Sequence, residues 1–209
     1  MITTYFANWK TCLRISAVAM VMIVAVLAVK PVSVEAKASD YSQDIGGWLE
    51  ACQKVGKDLT KYNFTYGSHS KSTFAKSVKN GRKANCASYV SWCLQEFGVL
   101  KKGQTFYTNR GRLVKRFKSW RGKVEIIRIN KQTSKVKNLK PGDIVAWGDI
   151  VHTNIYAGEN AKGEKLWLDG GSAATTKGSV RRYYRADKIM TYDYLNKHKI
   201  AFVIRIKGL

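Results

Sequence analysis

The chemistry this 209-residue chain could perform rests on few side chains, because it holds four Cys and only three His. A free thiol has a pKa near 8.5, so at neutral pH only a few per cent of it is the nucleophilic thiolate. The N-terminus of a helix carries about half a positive charge and unpaired N–H groups, both of which favour the anion. With an imidazolium nearby, a thiol can be brought to roughly 3.5–7.5. Cys86 opens a segment, Cys86 to Phe97, whose spacing predicts a helix with Tyr89, Val90, Cys93 and Leu94 inward. His152 lies in Gly148-Asp149-Ile150-Val151-His152-Thr153-Asn154-Ile155-Tyr156, where alternation puts His152, Asn154 and Tyr156 on one face of a strand. His69 sits in a polar loop and His198 between lysines, so both read as surface residues. His152 is therefore the imidazole best placed to partner a thiol, and Cys86 is a cysteine at the head of a predicted helix.

A third polar group is expected at Asp169, at the end of a strand that should lie beside that of His152. A carboxylate there could accept the imidazole N–H and stabilise the protonated ring. The Gly170-Gly171 that follows also suits an ordinary turn, and the residue type alone does not separate the two. Asp143 is the rival acid, but Pro141-Gly142-Asp143 reads as a structural turn. Cys86 and Cys93 cannot bridge if they share a helix, since seven residues of rise separate their Cα atoms by roughly 10.5 Å. Cys93 reads as small core filler, and a Cys52–Cys93 bond stays open. No His/Cys/Asp/Glu group has zinc-ligand spacing, so neither a metal nor another cofactor is expected.

The elements that must position these residues divide the chain into two halves. Ile45, Trp48, Leu49 and Cys52 fall at helical spacing behind Asp44, a candidate N-cap, and a short helix is expected through Phe74, Ala75 and Val78. Beyond Gly98 the period changes to two. Expected strands are Val124–Ile129, Asp143–Trp147, Val151–Ala157, Lys165–Leu168, Val180–Tyr184 and Ile200–Ile206. Between the halves, twelve Lys/Arg from Arg110 to Lys140 face Glu125 alone, and Leu113, Phe117 and Trp120 suggest an amphipathic helix with a cationic outer face. Helices first and a meander of strands after predict an α+β fold, with helices on one face of a mostly antiparallel sheet.

Composition narrows the function classes. The chain is 45% hydrophobic and 24% charged, which excludes a disordered protein, and its net charge of +23 implies an anionic partner. Lys10 and Arg14 precede an apolar run from Ile15 to Val29, followed by Lys30-Pro31 and small residues near Ala36. That is the layout of a secretory signal, and fifteen residues fall short of the roughly 20 that a spanning helix needs. Residues 1–36 are thus expected to be a signal peptide, with an uncleaved anchor as the other reading, and 37–61 an N-terminal helical extension. The product would be secreted or cell-wall associated, touching membrane only through its N-terminal segment. Export, with no base-stacking or recognition motif, argues against nucleic acid as the anionic partner.

Three segments together, Ala84-Asn85-Cys86-Ala87-Ser88-Tyr89-Val90-Ser91-Trp92, Leu139-Lys140-Pro141-Gly142-Asp143-Ile144-Val145 and His152-Thr153-Asn154-Ile155-Tyr156-Ala157-Gly158, resemble the NlpC/P60 cysteine peptidases, which are papain-like cell-wall hydrolases. The resemblance covers residues 62–209. It implies a catalytic domain of that fold, with Cys86 as nucleophile, His152 as its proton partner and Asp169 at the third, variable position. The bond implied is that between D-Glu and the diamino acid in the peptide stems of peptidoglycan. Tyr62 and Tyr66 match the substrate-site tyrosine upstream of the nucleophile, though core packing accounts for them equally well. Asn85, Ala87 and Ser88, which the resemblance implies as substrate-binding positions, stand where many members have Asp, Ser and Gly around the cysteine. The missing Asp charge and Ser hydroxyl put a preference for a free amino end in doubt. Peptidoglycan and anionic wall polymers are the expected partners of a monomer. The alternatives are a CHAP-like N-acetylmuramoyl-L-alanine amidase and a non-catalytic cationic wall-binding protein.

Overall fold

Apolar spacing dictates where the chain becomes helical. The computed structural model describes residues 43–67, 73–109, 112–113, 120–133, 138–175 and 186–209. Helix α1, Gln43–Lys61, buries Trp48, Leu49, Cys52, Val55 and Leu59 along one side. It begins ahead of Asp44, which therefore stands in the first turn and is not the N-cap. Helix α2, Phe74–Lys79, starts where the Thr73 hydroxyl accepts from Lys76 N at 3.2 Å. Helix α3, Cys86–Glu96, is capped by Asn85 and is buried on every side from Cys86 to Leu94. The described residues all belong to one compact unit. The helix set apart by the sequence as an extension thus supplies Trp48, Leu49 and Cys52 to the same core as α3.

The described part is α+β. Ten strands occur among the described residues: β1 Thr65–Tyr66, β2 Lys83–Ala84, β3 Thr108–Asn109, β4 Arg112–Leu113, β5 Val124–Thr133, β6 Ile144–Trp147, β7 Thr153–Glu159, β8 Lys165–Leu168, β9 Met190–Thr191 and β10 Ile200–Ile206. Six of them form an antiparallel sheet in the order β5-β10-β6-β7-β8-β9. β1 and β2 pair in parallel, and β3 and β4 antiparallel, in two small ladders. Alternation sends Ile144, Ala146, Ile155, Ala157, Leu166 and Leu168 to the helix-covered face. Val145, Trp147, Tyr156 and Trp167 form a second apolar cluster on the other. A bulge in β10 between Ile200 and Phe202 lets these two residues, two apart, join opposite faces.

Some sequence expectations need correction, and others fall outside the described residues. β7 begins at Thr153, two residues later than predicted, because the preceding backbone bonds outside the ladder. Gly148 N donates to Lys199 O at 2.7 Å, and Asp149 Oδ1 accepts from Lys199 N at 3.0 Å. Leu113 stands in the short hairpin strand β4, opposite Thr108, and not in an amphipathic helix. Gly111 two residues earlier disfavours helix and suits a turn. Phe117, the expected strand Val180–Tyr184, His69 and the whole expected signal lie outside the described residues.

Candidate active site

The Pro141-Gly142-Asp143 turn fixes the frame on which His152 is carried. Gly142 has φ +91, a conformation that favours glycine, and its carbonyl accepts from Trp48 Nε1 of α1 at 3.0 Å. Gly142 N donates to Tyr156 O at 2.7 Å and Tyr156 N to Asp143 O at 2.8 Å, which sets β7 in register beside β6. The Asp143 carboxylate is buried and accepts Arg205 Nε at 2.8 Å, Arg205 Nη2 at 2.7 Å and Lys140 N at 2.8 Å. Its oxygens are thus occupied by the turn and β10, in keeping with a structural role.

His152 immediately precedes β7, on a loop held by Asp149, whose carboxylate takes Lys199 N and lies 3.1 Å from His198 Nδ1. His198 therefore has a partner in the loop anchor. Asp169 immediately follows β8, the neighbour of β7 in the sheet, so the two residues meet at one end of the sheet. His152 Nε2 lies 3.3 Å from Asp169 Oδ2. Asp169 has no exposed surface, and its other oxygen accepts Gly171 N at 2.7 Å. Gly171 has no room for a side chain: a Cβ there would lie 2.6 Å from His152 Cε1 and 3.1 Å from Asp169 Oδ1. At Gly170 a Cβ would meet Tyr89 Cβ at 2.2 Å, so both glycines are needed to bring the strand end against α3 and the imidazole.

Cys86 is the first residue of α3, and its side chain acts electrostatically on the His152 ring. Burial alone would pull the imidazole's pKa down. The Asp169 carboxylate and the Cys86 side chain outweigh it, and the pKa is pushed up to about 10. His152 is thus held as an imidazolium across neutral pH. A thiol at the positive end of a helix, beside an imidazolium, combines a possible nucleophile with an acid able to protonate a leaving group.

The predicted substrate residues divide. Tyr66 is 44% exposed, and its hydroxyl is pushed up first by burial and then by the charges of Cys86 and Asp169, so it borders the site. Tyr62 instead packs edge-on to Phe74 of α2, with ring centroids 5.8 Å apart. Asn85 Oδ1 accepts Ser88 N at 3.0 Å while Ser88 Oγ accepts Asn85 N at 2.8 Å, so these two oxygens cap the helix. Ala87 is buried within α3. Tyr194 was not foreseen: its hydroxyl donates to Asp169 Oδ2 at 3.3 Å and lies 3.4 Å from His152 Nε2. It comes from a 3-10 helix, Asp193–Lys197, on a segment without periodic pattern, and no motif signals it. Cys52 of α1 and Cys93 of α3 are free thiols, both buried, and burial first, then the neighbouring Cys93, pushes the Cys52 thiol well up. No group of acidic, His or Cys side chains among the described residues could hold a metal ion. Compared with known proteins, the chain matches no family model, no curated protein and no solved structure.

Proposed function

We propose that this chain is an exported, papain-like cysteine peptidase of the NlpC/P60 kind that cuts the peptide stems of peptidoglycan. One observation carries the reading: Cys86 at the head of a buried helix, with His152 and Asp169 brought to it from adjacent strands. The order of parts, a thiol-bearing helix laid on an antiparallel sheet that supplies the imidazole, supports it further.

The Cys86 thiolate attacks the carbonyl carbon of the scissile amide, and the resulting oxyanion is held by the Cys86 backbone N–H at the helix head. His152 passes a proton to the leaving nitrogen as the C–N bond breaks, leaving an acyl-enzyme. The neutral imidazole then takes a proton from water, whose oxygen attacks the acyl carbon. The C–S bond breaks, and thiolate and imidazolium are restored. Asp169 keeps the ring oriented throughout and stabilises it whenever it is protonated. The favoured bond is that between D-Glu and the diamino acid. The +23 charge supports retention on anionic wall polymers without a separate binding domain.

Digestion of purified peptidoglycan with the wild type, Cys86→Ala and His152→Ala tests this. New amino groups on the diamino acid, from the wild type alone, are expected by mass spectrometry. New N-terminal L-Ala would instead identify an amidase. Fragments released equally by both variants, or none released by the wild type, contradict the peptidase and leave a cationic wall-binding protein.

A further inference from the structure

We propose that Tyr194 is a positioning residue of this site: its hydroxyl fixes the Asp169 carboxylate against His152, and its ring screens that pair from water. The inference rests on the reading of Cys86, His152 and Asp169 as the reacting group.

Tyr194 is 37% exposed, so it is not a core residue, yet its hydroxyl is turned inward to two buried ionisable groups. A tyrosine placed only for packing would bury its ring and leave the oxygen to solvent. Here the polar tip is the buried end. Its ring centroid lies 6.4 Å from that of His152 and 6.1 Å from that of His198, so the ring covers the His152 side of the site. The short helix that carries it is anchored by Leu195, which is buried in the second apolar cluster and donates its N–H to Tyr192 O at 2.9 Å. The hydroxyl is therefore held from both ends of its own segment.

This hydroxyl is one of three partners that the buried Asp169 carboxylate has in the site. A buried carboxylate stays ionised only where hydrogen bonds replace the lost water. Gly171 N supplies one at Oδ1, while His152 and Tyr194 share Oδ2. Among the described residues, the charged or titratable groups acting on His152 are Asp169 after β8, Cys86 of α3 and Tyr194, while Tyr66 of β1 feels the charges of Cys86 and Asp169. The ring and the hydroxyl have opposite effects on the imidazole. Excluding water strengthens its attraction to Asp169. Donating to the carboxylate makes the His152–Asp169 pair hold its shared proton less tightly.

The full chain, Tyr194→Phe and Tyr194→Ala separate these effects. The His152 titration is followed by NMR with isotope-labelled histidine, assigned with His152→Ala, and Cys86 alkylation by iodoacetamide is followed across pH. Tyr194→Ala is expected to lower the His152 pKa by about one pH unit or more and to slow alkylation at pH 6 about tenfold. Tyr194→Phe, which keeps the screen and removes the donor, is expected to leave that pKa at or above the wild-type value. A purely structural role would not give effects that differ in sign. An unchanged titration in Tyr194→Ala, or an equal fall in both variants, overturns the assignment. If Tyr194→Ala does not fold, Tyr194→Leu carries the same test. Wild-type Cys86 that is unreactive below pH 8 overturns the catalytic reading itself. A reactive wild type with indifferent variants overturns only the role of Tyr194.

Discussion

A carboxylate cut off from water has to be stabilised by nearby donors, and at Asp169 they include the backbone of Gly171, the phenol of Tyr194 and the His152 imidazolium. The consequence for His152 can be measured as stability. Its pKa rises from 6.5 in the unfolded chain to about 10 in the folded one, so between those values the folded state binds more protons. The stabilisation is complete below pH 6.5 and is lost as pH rises through 10. Melting temperatures of the wild type should therefore fall across that window relative to Asp169→Asn, which lacks the charge. Parallel profiles for the two proteins would contradict the ion pair. Gly171 is the second residue-scale test. Gly171→Ala puts a methyl 2.6 Å from His152 Cε1. The ring must move, and a displacement of about 1 Å in a catalytic group costs on the order of 100-fold in rate. Wall digestion should drop by about that factor in a protein whose circular dichroism is unchanged.

At the scale of elements, α3 does most to define the site, and its first turn depends on one cap. The Asn85–Ser88 box satisfies two backbone donors at the end where Cys86 sits. Asn85→Ala should cost about 1 kcal/mol of unfolding free energy, and Asn85→Asp should recover most of it. Chemical denaturation of the three proteins checks this. Much of this scale was readable beforehand: α3, β8 and β10 fall where their periodicity puts them, because each buries a regular set of apolar residues. That His152 and Asp169 come within 3.3 Å of one another also agrees with the strand pairing expected for β7 and β8. What the sequence hid depends on long-range geometry. The later start of β7 follows from backbone bonds to Lys199, some fifty residues away, and β1 and β9, with two residues each, are too short to show a period. Tyr194 escaped notice because its partners lie 25 and 42 positions away and its own segment has no pattern. The polar side chains of Asn85 and Ser88, read as facing substrate, face the helix end instead.

For the molecule as a whole, the charge of +23 on 209 residues makes association with an anionic polymer inherently salt-sensitive. Adsorption to purified wall should weaken steeply between about 0.05 and 0.5 M salt, while hydrolysis of a small uncharged stem peptide changes little. Equal loss of both on adding salt would show that charge serves the chemistry and not the attachment. The claim on which the whole account depends is that one sulfur, at the head of a buried helix, is kept ionised by an imidazolium. The most direct measurement is the rate of Cys86 alkylation against pH in the wild type and in His152→Ala, with Cys52 and Cys93 as buried internal controls. The account predicts that Cys86 alone is modified well below pH 8 in the wild type, and that His152→Ala restores the behaviour of an ordinary thiol, reactive only near its pKa of about 8.5. An identical profile in the two proteins would contradict it.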